Sequence, residues 1–255
     1  MCQPFFQLTY GNLLEGPNDQ KWFHSVPLPN GDRIIGAHRG DPNVQVKLWH
    51  TLAADVSQKR VLDIGANDGY YSVAALLAGA ADVTAINTAD CPAFPANISF
   101  IAKRWNVSPQ IVVADFLTYP FDATYDVILF LGVLYHLENV FAAMRRLRKI
   151  LSHNGMLYIE TQMSQIDSPL PLFEAASDIF PTIAEQNKEA LAYVGVSNFL
   201  FPNEACMRNL AHSYDFTCER LEGIYTRDYS SRGVFKLKPG PSATEGGRPV
   251  LAWRS

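Results

Sequence analysis

The sequence predicts an α/β fold built on a mostly parallel β-sheet. Three observations lead to this prediction. Short apolar runs alternate with helical patterns from residue 60 onward, a glycine-containing turn joins the first apolar run to a helix, and the last apolar runs follow one another without a helix between them. Strands that alternate with helices need right-handed crossovers and therefore lie parallel. The late runs predict an antiparallel end to the sheet.

The first 55 residues are interpreted as an N-terminal cap. They mix aromatic side chains with turn signals such as LPNGD at 28–32. Residues 56–255 then form the main domain, with strands predicted in RVLDIG, DVTAI, QIVVAD, YDVILFLG, GMLYIET, CERLEGIY, GVFKLK and PVLAWR.

Two helices and a long segment complete the predicted main domain. A helix runs through VFAAMRRLRKIL, and HNG at 153–155 is predicted to end it as a C-cap and turn. A second helix is predicted at about 203–213. The segment 162–200 is rich in proline and aromatic residues and is too long for a plain connection, so we interpret it as an inserted lid.

Composition argues against several classes of function. The formal net charge is -4 and no dense Lys/Arg block occurs, so we do not expect a nucleic-acid partner. The four cysteines show no metal-finger spacing, and none of the six histidines pairs with Cys or a carboxylate at metal-ligand spacing, so no metal is expected. No apolar run approaches the roughly 20 residues of a membrane span. We therefore expect a soluble, cytoplasmic protein.

The stretch VLDIGANDGYYS at 61–72 is the main functional signal. Asp63 stands two residues before Gly65, and Gly69 follows four residues later, between an apolar strand and a helix. Such a turn presents backbone N–H groups and the positive end of a helix to a ligand, and its glycines leave room for close approach. A dinucleotide fingerprint would instead have the pattern GxGxxG.

The acid-x-Gly-x-x-x-Gly pattern resembles motif I of the class I S-adenosylmethionine (SAM)-dependent methyltransferases. The resemblance implies a Rossmann-like, seven-stranded, mostly parallel sheet with an antiparallel last strand. It also implies that Asp63 holds the cofactor ammonium group, while backbone N–H groups of the turn receive its carboxylate. The cofactor-binding residues expected in this turn are Asp63, Gly65, Ala66, Asn67 and Gly69.

Later strand ends fit the same cofactor. The resemblance places Asp115 at the adenine amino group, Phe116 against the adenine ring, and Leu131 along the cofactor. Asn87 stands where this superfamily usually has an acid for the ribose hydroxyls. Asn87 can accept one hydrogen bond and donate another; alternatively Asp90 takes this role, or Asn87 is only a turn residue.

Two further motifs resemble a narrower family. The pattern W-x-x-x-V-x-L-x-N-G at 22–31 and GVLYH at 132–136 are similar to the methyltransferase family that includes the tRNA wobble-uridine carboxymethyltransferase. In that enzyme the cofactor is carboxylated SAM, and a Lys, a Tyr and an Arg bind the added carboxylate. The resemblance places the Tyr on Tyr135 and the Lys on Lys47, and leaves Arg248 and Arg232 as alternatives for the Arg.

Methyl transfer is an in-line displacement, so the enzyme contributes alignment and, for a hydroxyl or protonated amine, removal of a proton. His136 is the first candidate base, with capping of the next helix as its alternative role. Tyr135 and His24 are further catalytic candidates. The residues expected to contact substrate are Trp22, His38, Lys47, Asn198 and Phe199.

The predicted function is a SAM-dependent methyltransferase acting on an O or N atom of a small aromatic or heterocyclic metabolite, in specialised-metabolite biosynthesis. The alternative is a tRNA wobble-uridine methyl- or carboxymethyltransferase, with either SAM or carboxylated SAM as its cofactor. A third hypothesis, supported by Asn87 alone, is a non-catalytic partner that keeps the fold. Whether the chain forms a homodimer is left open.

Overall fold

A computed structural model describes residues 13–14, 22–36, 42–175, 198–224 and 232–240. The chain divides into two compact units, the N-terminal unit (residues 1–130) and the C-terminal unit (residues 131–255). The predicted boundary between cap and main domain near residue 55 stays a prediction. None of the helices in the described part of the chain combines the length and apolar character that crossing a bilayer requires.

The N-terminal unit contains a small three-stranded sheet and a series of alternating strands and helices. Its elements are β1 (Leu13–Leu14), β2 (Val26–Pro27), β3 (Arg33–Ile34), α1 (Pro42–Val56), β4 (Arg60–Ile64), α2 (Tyr70–Leu77), β5 (Asp82–Asn87), α3 (Phe94–Trp105), β6 (Gln110–Val113) and β7 (Tyr125–Leu131).

The C-terminal unit begins at the end of β7 and is richer in antiparallel pairs. Its elements are a 3₁₀ turn (Leu134–His136), α4 (Val140–Ile150), β8 (Leu151–Gln162), β9 (Phe173–Ala175), β10 (Leu200–Pro202), α5 (Glu204–Ser213), β11 (Phe216–Leu221) and β12 (Arg232–Pro239).

Seven strands form one sheet in the order β11-β12-β8-β7-β4-β5-β6. The pairs β4–β5, β4–β7 and β5–β6 are parallel, whereas β11–β12 and β12–β8 are antiparallel. Both the predicted α/β class and the antiparallel end of the sheet are therefore confirmed. Because β4, β5 and β6 lie parallel and in register, their carboxyl ends meet at one edge.

Strands β2 and β3 pair as an antiparallel hairpin. The LPNGD turn closes with a hydrogen bond of 2.8 Å from Leu28 N–H to the Asp32 carbonyl, and Gly31 takes a φ of +89°. After β3, a Cβ atom at Gly36 would overlap the backbone of Phe23 and His24. Because residue 36 has no side chain, the chain after β3 can pack directly against the backbone of Phe23 and His24.

The predictions for the later chain concern a C-cap at HNG and a lid. The predicted C-cap and turn at HNG (153–155) is wrong, because α4 ends at Ile150 and the chain is extended from Leu151 (φ −83°, ψ 134°) through the whole of β8. In the predicted lid, Phe173–Ala175 pairs antiparallel with Leu200–Pro202. Residues 176–197 and the predicted strand PVLAWR lie outside the described residues.

Candidate functional site

The turn between β4 and α2 has the geometry of a ligand cradle. Gly65 and Gly69 take φ of +72° and +82°, and Asn67 also has a positive φ of +51°. The N–H groups of Gly65 and Ala66 donate to the Ile86 carbonyl of β5. Among the described residues, no acceptor binds the backbone N–H groups of Asn67 and Asp68. These two donors suit an anionic group of a ligand.

Gly69 is also required by packing behind the turn. A Cβ atom at this position would lie 2.6 Å from Cβ of Ile98 and would overlap its Cγ1 atom. Ile98 belongs to α3 and packs in a cluster with Ala66, Ala85 and Phe94. Helix α3 can therefore approach the turn only because residue 69 has no side chain.

Asp63, at the end of β4, is a buried carboxyl group held by the first turn of α2. Its side chain accepts a hydrogen bond of 2.6 Å from the Ser72 hydroxyl, and the residue is 2% exposed. Burial raises the pKa of Asp63 from 3.8 to about 6, against the opposing effects of the Ser72 hydrogen bond and of nearby His24. A cationic group of a ligand would stabilise the ionised form.

Asp68 connects the turn to the segment before β2. Its Oδ2 atom accepts the backbone N–H groups of Phe23 at 3.0 Å and of His24 at 2.7 Å. Its Oδ1 atom lies 2.6 Å from Nδ1 of His24. The carboxylate is fully buried and the imidazole is 13% exposed, with its ring stacked on Tyr70 and edge-on to Tyr71.

Asn87 ends β5 beside the turn. Its side-chain oxygen accepts the N–H of the next residue, Thr88, at 2.9 Å, and its carbonyl accepts the N–H of Ala114. The amide NH₂ has no acceptor among the described residues. The NH₂ group could therefore donate to a ligand, while Asp90 lies exposed on the surface.

The predicted adenine contacts follow β6 at the same edge. Asp115 is exposed and accepts the N–H of Leu117 at 2.9 Å, which orders the loop. Phe116 is 6% exposed and packs edge-to-face on Phe130, with ring centroids 5.5 Å apart. Leu131, at the end of β7, is partly buried.

In the C-terminal unit, Tyr135 belongs to a polar cluster. Its hydroxyl accepts from Nη2 of Arg232 at 3.2 Å. Arg232 also binds both carboxylate oxygens of Glu160 and the side-chain oxygen of Gln162. Burial raises the pKa of Tyr135, partly offset by Arg232, so the hydroxyl keeps its proton at neutral pH.

Three further predicted residues lie near this cluster in the same unit. The ring of His136 lies 4.2 Å from that of Tyr135, and the N–H of Phe199 donates to the Tyr135 carbonyl at 2.8 Å. Asn198 keeps a buried side-chain oxygen that no donor in the described part of the chain reaches. This oxygen could accept a hydrogen bond from a ligand.

The other predicted substrate residues differ in their surroundings. Trp22 is 3% exposed and packs edge-to-face on Phe100, as a core residue does. Lys47 is exposed on α1, and His38 lies outside the described residues. Within those residues, no group of three or more His, Cys, Asp or Glu side chains could hold a metal ion.

Sequence reasoning missed Asp68, Ser72 and Glu160. Asp68 stands inside the motif I turn, and Glu160 interrupts the apolar strand GMLYIET, so an acid in an otherwise buried setting was the available signal. Ser72 gave no comparable signal. Its hydrogen bond to Asp63 depends on the position of the first turn of α2 over the end of β4, which the sequence pattern does not determine.

The sheet order, the glycine turn and the strand ends beside it define a Rossmann-like protein of the methyltransferase class. The chain belongs to the methyltransferase domain family, whose model matches residues 41–220, well over half of the sequence. The methyltransferase class predicted from motif I is thereby confirmed.

Known proteins similar to this chain include a curated tRNA U34 carboxymethyltransferase from Syntrophotalea carbinolica. The two are 29% identical over 131 residues, which cover 49% of this chain and only 39% of that relative. The sequence comparison thus confirms the resemblance to this family that the two motifs predicted.

Solved structures similar to this chain include two methyltransferases with S-adenosylhomocysteine (SAH) bound. The 1,6-didemethyltoxoflavin-N1-methyltransferase of Burkholderia thailandensis, which also holds 1,6-didemethyltoxoflavin, has a TM-score of 0.56 and 18% identity, with 78% of this chain and 79% of that chain covered. The magnesium protoporphyrin IX methyltransferase of Synechocystis PCC 6803 has a TM-score of 0.54 and 16% identity, with 76% and 80% covered. At these identities the likeness shows the fold.

Proposed function

We propose that this methyltransferase transfers the methyl group of SAM to an oxygen or nitrogen atom of a small aromatic or heterocyclic metabolite. The observation that carries the cofactor part is the motif I turn, where two backbone N–H groups and the buried Asp63 carboxyl stand close together in sequence and space. The α-carboxylate and α-ammonium groups of SAM require these two kinds of partner.

Three residues at the ends of β5 and β6 support the rest of the cofactor site in the N-terminal unit. The Asn87 amide suits a ribose hydroxyl as a donor, and Phe116 offers an apolar face for adenine. Asp115, exposed after β6, suits the adenine amino group. These assignments keep the cofactor residues expected from the sequence, with Asn87 acting as a donor where the usual acid would accept.

The described residues fit plain SAM better than carboxylated SAM; Arg248, the second alternative for the carboxylate-binding Arg, lies outside them. Arg232, an alternative for the carboxylate-binding Arg, already uses Nε and Nη2 on Glu160, Nη1 on Gln162 and Nη2 again on Tyr135. Its charge is therefore neutralised inside the protein. Lys47, the corresponding Lys, is an exposed side chain on α1.

A small acceptor is favoured over a polynucleotide on grounds of charge. The formal net charge is -4, whereas polynucleotide binding depends on clustered cations. The similar proteins from B. thailandensis and Synechocystis are named for heterocyclic small molecules. A setting in specialised-metabolite biosynthesis and the contact residues Asn198 and Phe199 belong to the same proposal.

The test uses SAM labelled in its methyl group. The protein is incubated with labelled SAM and a fractionated extract of small metabolites, and label transfer and SAH formation are followed by mass spectrometry. We expect SAH to form together with a labelled product of low molecular mass. Binding of SAM in calorimetry without any product would support the non-catalytic alternative instead.

The second candidate function is methylation or carboxymethylation of a tRNA wobble uridine. The curated relative favours it, as does the contact between Tyr135 and Arg232. Filter binding of tRNA over a salt series discriminates the two candidates: affinity that falls steeply with salt supports tRNA, and weak binding at low salt supports the small metabolite.

A further inference from the structure

We propose that His24, oriented by Asp68, is the base that takes the proton from the acceptor. This inference rests on the proposed function, since it assigns a residue to the same methyl transfer. It also replaces His136, the first candidate from the sequence. His24 is the catalytic residue in this proposal, and Asp68 is a positioning residue.

The contact with Asp68 determines which nitrogen of His24 is free to react. An ionised carboxylate can only accept hydrogen bonds, so Nδ1, 2.6 Å from Oδ1 of Asp68, carries the proton. In the neutral ring Nε2 then has the lone pair, and no donor among the described residues binds it. A neutral imidazole in this tautomer is the form that a general base requires.

The surroundings of His24 hold the ring in one orientation. Tyr70 stacks on it with ring centroids 5.5 Å apart and 25° between planes, and Tyr71 and Phe23 meet it edge-on. The charged groups that face it are Asp68, through the hydrogen bond, and Asp63, through a longer electrostatic interaction. Both acids offset the positive charge that the ring gains when it accepts a proton.

The position of Asp68 in the chain places His24 at the cofactor turn. Asp68 lies between Gly65 and Gly69, so the group that orients the imidazole belongs to the loop assigned to the amino-acid tail of SAM. The backbone N–H groups of Phe23 and His24 donate to the same carboxylate, which fixes the main chain as well as the ring.

The reaction balances without a further reagent. A lone pair on the acceptor O or N attacks the methyl carbon, and the bond from carbon to sulfur breaks with its electron pair going to sulfur, which gives SAH. The acceptor proton passes to Nε2, and the resulting imidazolium later releases it to water.

A first experiment tests the placement of His24 without knowledge of the acceptor. Diethylpyrocarbonate modifies the unprotonated imidazole nitrogen, and peptide mapping by mass spectrometry measures modification of each histidine with and without SAH. We expect SAH to protect His24 by at least about tenfold while the exposed His153 stays equally reactive. Calorimetry on the same sample measures SAH binding. Binding without protection of His24 overturns this inference alone, whereas absence of binding overturns the proposed function and this role with it.

A second experiment tests the tautomer. In Asp68→Asn the amide oxygen can still accept the backbone N–H groups, but the NH₂ group faces Nδ1 and forces the proton onto Nε2. We expect modification of His24 in the SAH-free variant to slow by at least about tenfold, with thermal stability closer to wild type than that of Asp68→Ala. Unchanged modification overturns the positioning role of Asp68.

A third experiment measures turnover with the acceptor found in the labelled-SAM assay. In His24→Asn the side-chain amide still donates to Asp68 but supplies no base. We expect turnover to fall by about 10²- to 10⁴-fold with SAM affinity within about threefold of wild type, and added imidazole to restore part of the rate. Turnover equal to wild type overturns the proposal, as does a loss confined to SAM affinity.

Discussion

The guanidinium group of Arg232 binds both carboxylate oxygens of Glu160, with Nε to Oε1 at 2.5 Å and Nη2 to Oε2 at 2.8 Å. The Glu160 side chain is 5% exposed and that of Arg232 is 19% exposed. The pair joins β8 to β12, where Glu160 stands opposite Val234 in the antiparallel register. An ionised side chain buried this far is stable only while its partner remains.

Glu160→Ala is therefore expected to lower the free energy of unfolding by about 3 kcal/mol, because Arg232 is left partly buried without its counterion. Glu160→Gln, which keeps hydrogen-bonding capacity, should lose less. Urea unfolding monitored by circular dichroism measures both. Arg208→Ala is the matched control: its exposed pair with Glu204 should contribute less than about 1 kcal/mol. Equal losses in the two pairs would contradict the argument.

Gly69→Ala should destabilise the protein more than Gly31→Ala. Both glycines have a positive φ, +82° and +89°, which costs an alanine about 1 to 2 kcal/mol. At Gly31 a Cβ atom meets nothing within 4 Å, whereas at Gly69 it meets the side chain of Ile98. Thermal unfolding of the two variants separates backbone strain from collision, and SAH calorimetry should show weaker binding only for Gly69→Ala.

The fold class and the positions of the strand ends could be predicted because they depend on local patterns. Apolar runs form the parallel strands β4, β5 and β6, which end at or close to Asp63, Asn87 and Asp115, and the turn glycines mark the passage from β4 to α2. The predicted and observed positions of these residues agree, because hydrophobic periodicity and turn chemistry act over only a few residues.

The partners of the site residues could not be predicted, because they lie far apart in sequence. His24 and Asp68 are separated by 44 residues, and Arg232 and Glu160 by 72. The HNG turn failed for a different reason. Neither Asn154 nor Gly155 takes the positive φ of a helix C-cap; instead the buried Leu151 starts β8 directly after α4. Packing of one strand decided the outcome over local composition.

Asn203 should be worth more to stability than an ordinary helix cap. Its side-chain oxygen accepts the N–H groups of Cys206 at 2.8 Å and of Leu172 at 3.2 Å, and its NH₂ donates to the carbonyls of Ser168 and Leu170. All four bonds are lost in Asn203→Ala, so we expect a loss of about 2 to 4 kcal/mol in urea unfolding.

Asn139→Ala is the control for Asn203→Ala. Asn139 caps α4 through one hydrogen bond of 2.9 Å to the N–H of Ala142 and lies exposed. Its removal should cost about 1 kcal/mol. Similar losses for the two variants would mean that the bonds from Asn203 to the segment 168–172 do not stabilise the base of the predicted lid.

Asp63 should make stability and cofactor binding depend on pH in opposite directions. Its pKa in the folded protein is about 6 against an ordinary value of 3.8. Below pH 3.8 the carboxyl is protonated in the folded and unfolded chains alike, and burial carries no charge penalty. Between pH 3.8 and 6 the unfolded chain ionises first, so stability falls by up to about 3 kcal/mol as pH rises.

Asp63→Asn removes this penalty and keeps an oxygen that can accept from Ser72. In the absence of cofactor we expect the variant to be within about 1 kcal/mol of wild type near pH 4 and more stable by up to about 3 kcal/mol at pH 7, in urea unfolding. SAH affinity should change the other way. Because the ligand ammonium binds the ionised carboxylate, wild-type affinity should rise by about tenfold between pH 5 and 7. Asp63→Asn keeps His24 and Asp68 but lacks the Asp63 carboxyl, so its SAH affinity should rise less between pH 5 and 7 than that of wild type. If calorimetry gives both proteins the same pH dependence, Asp63 is excluded from the ammonium site.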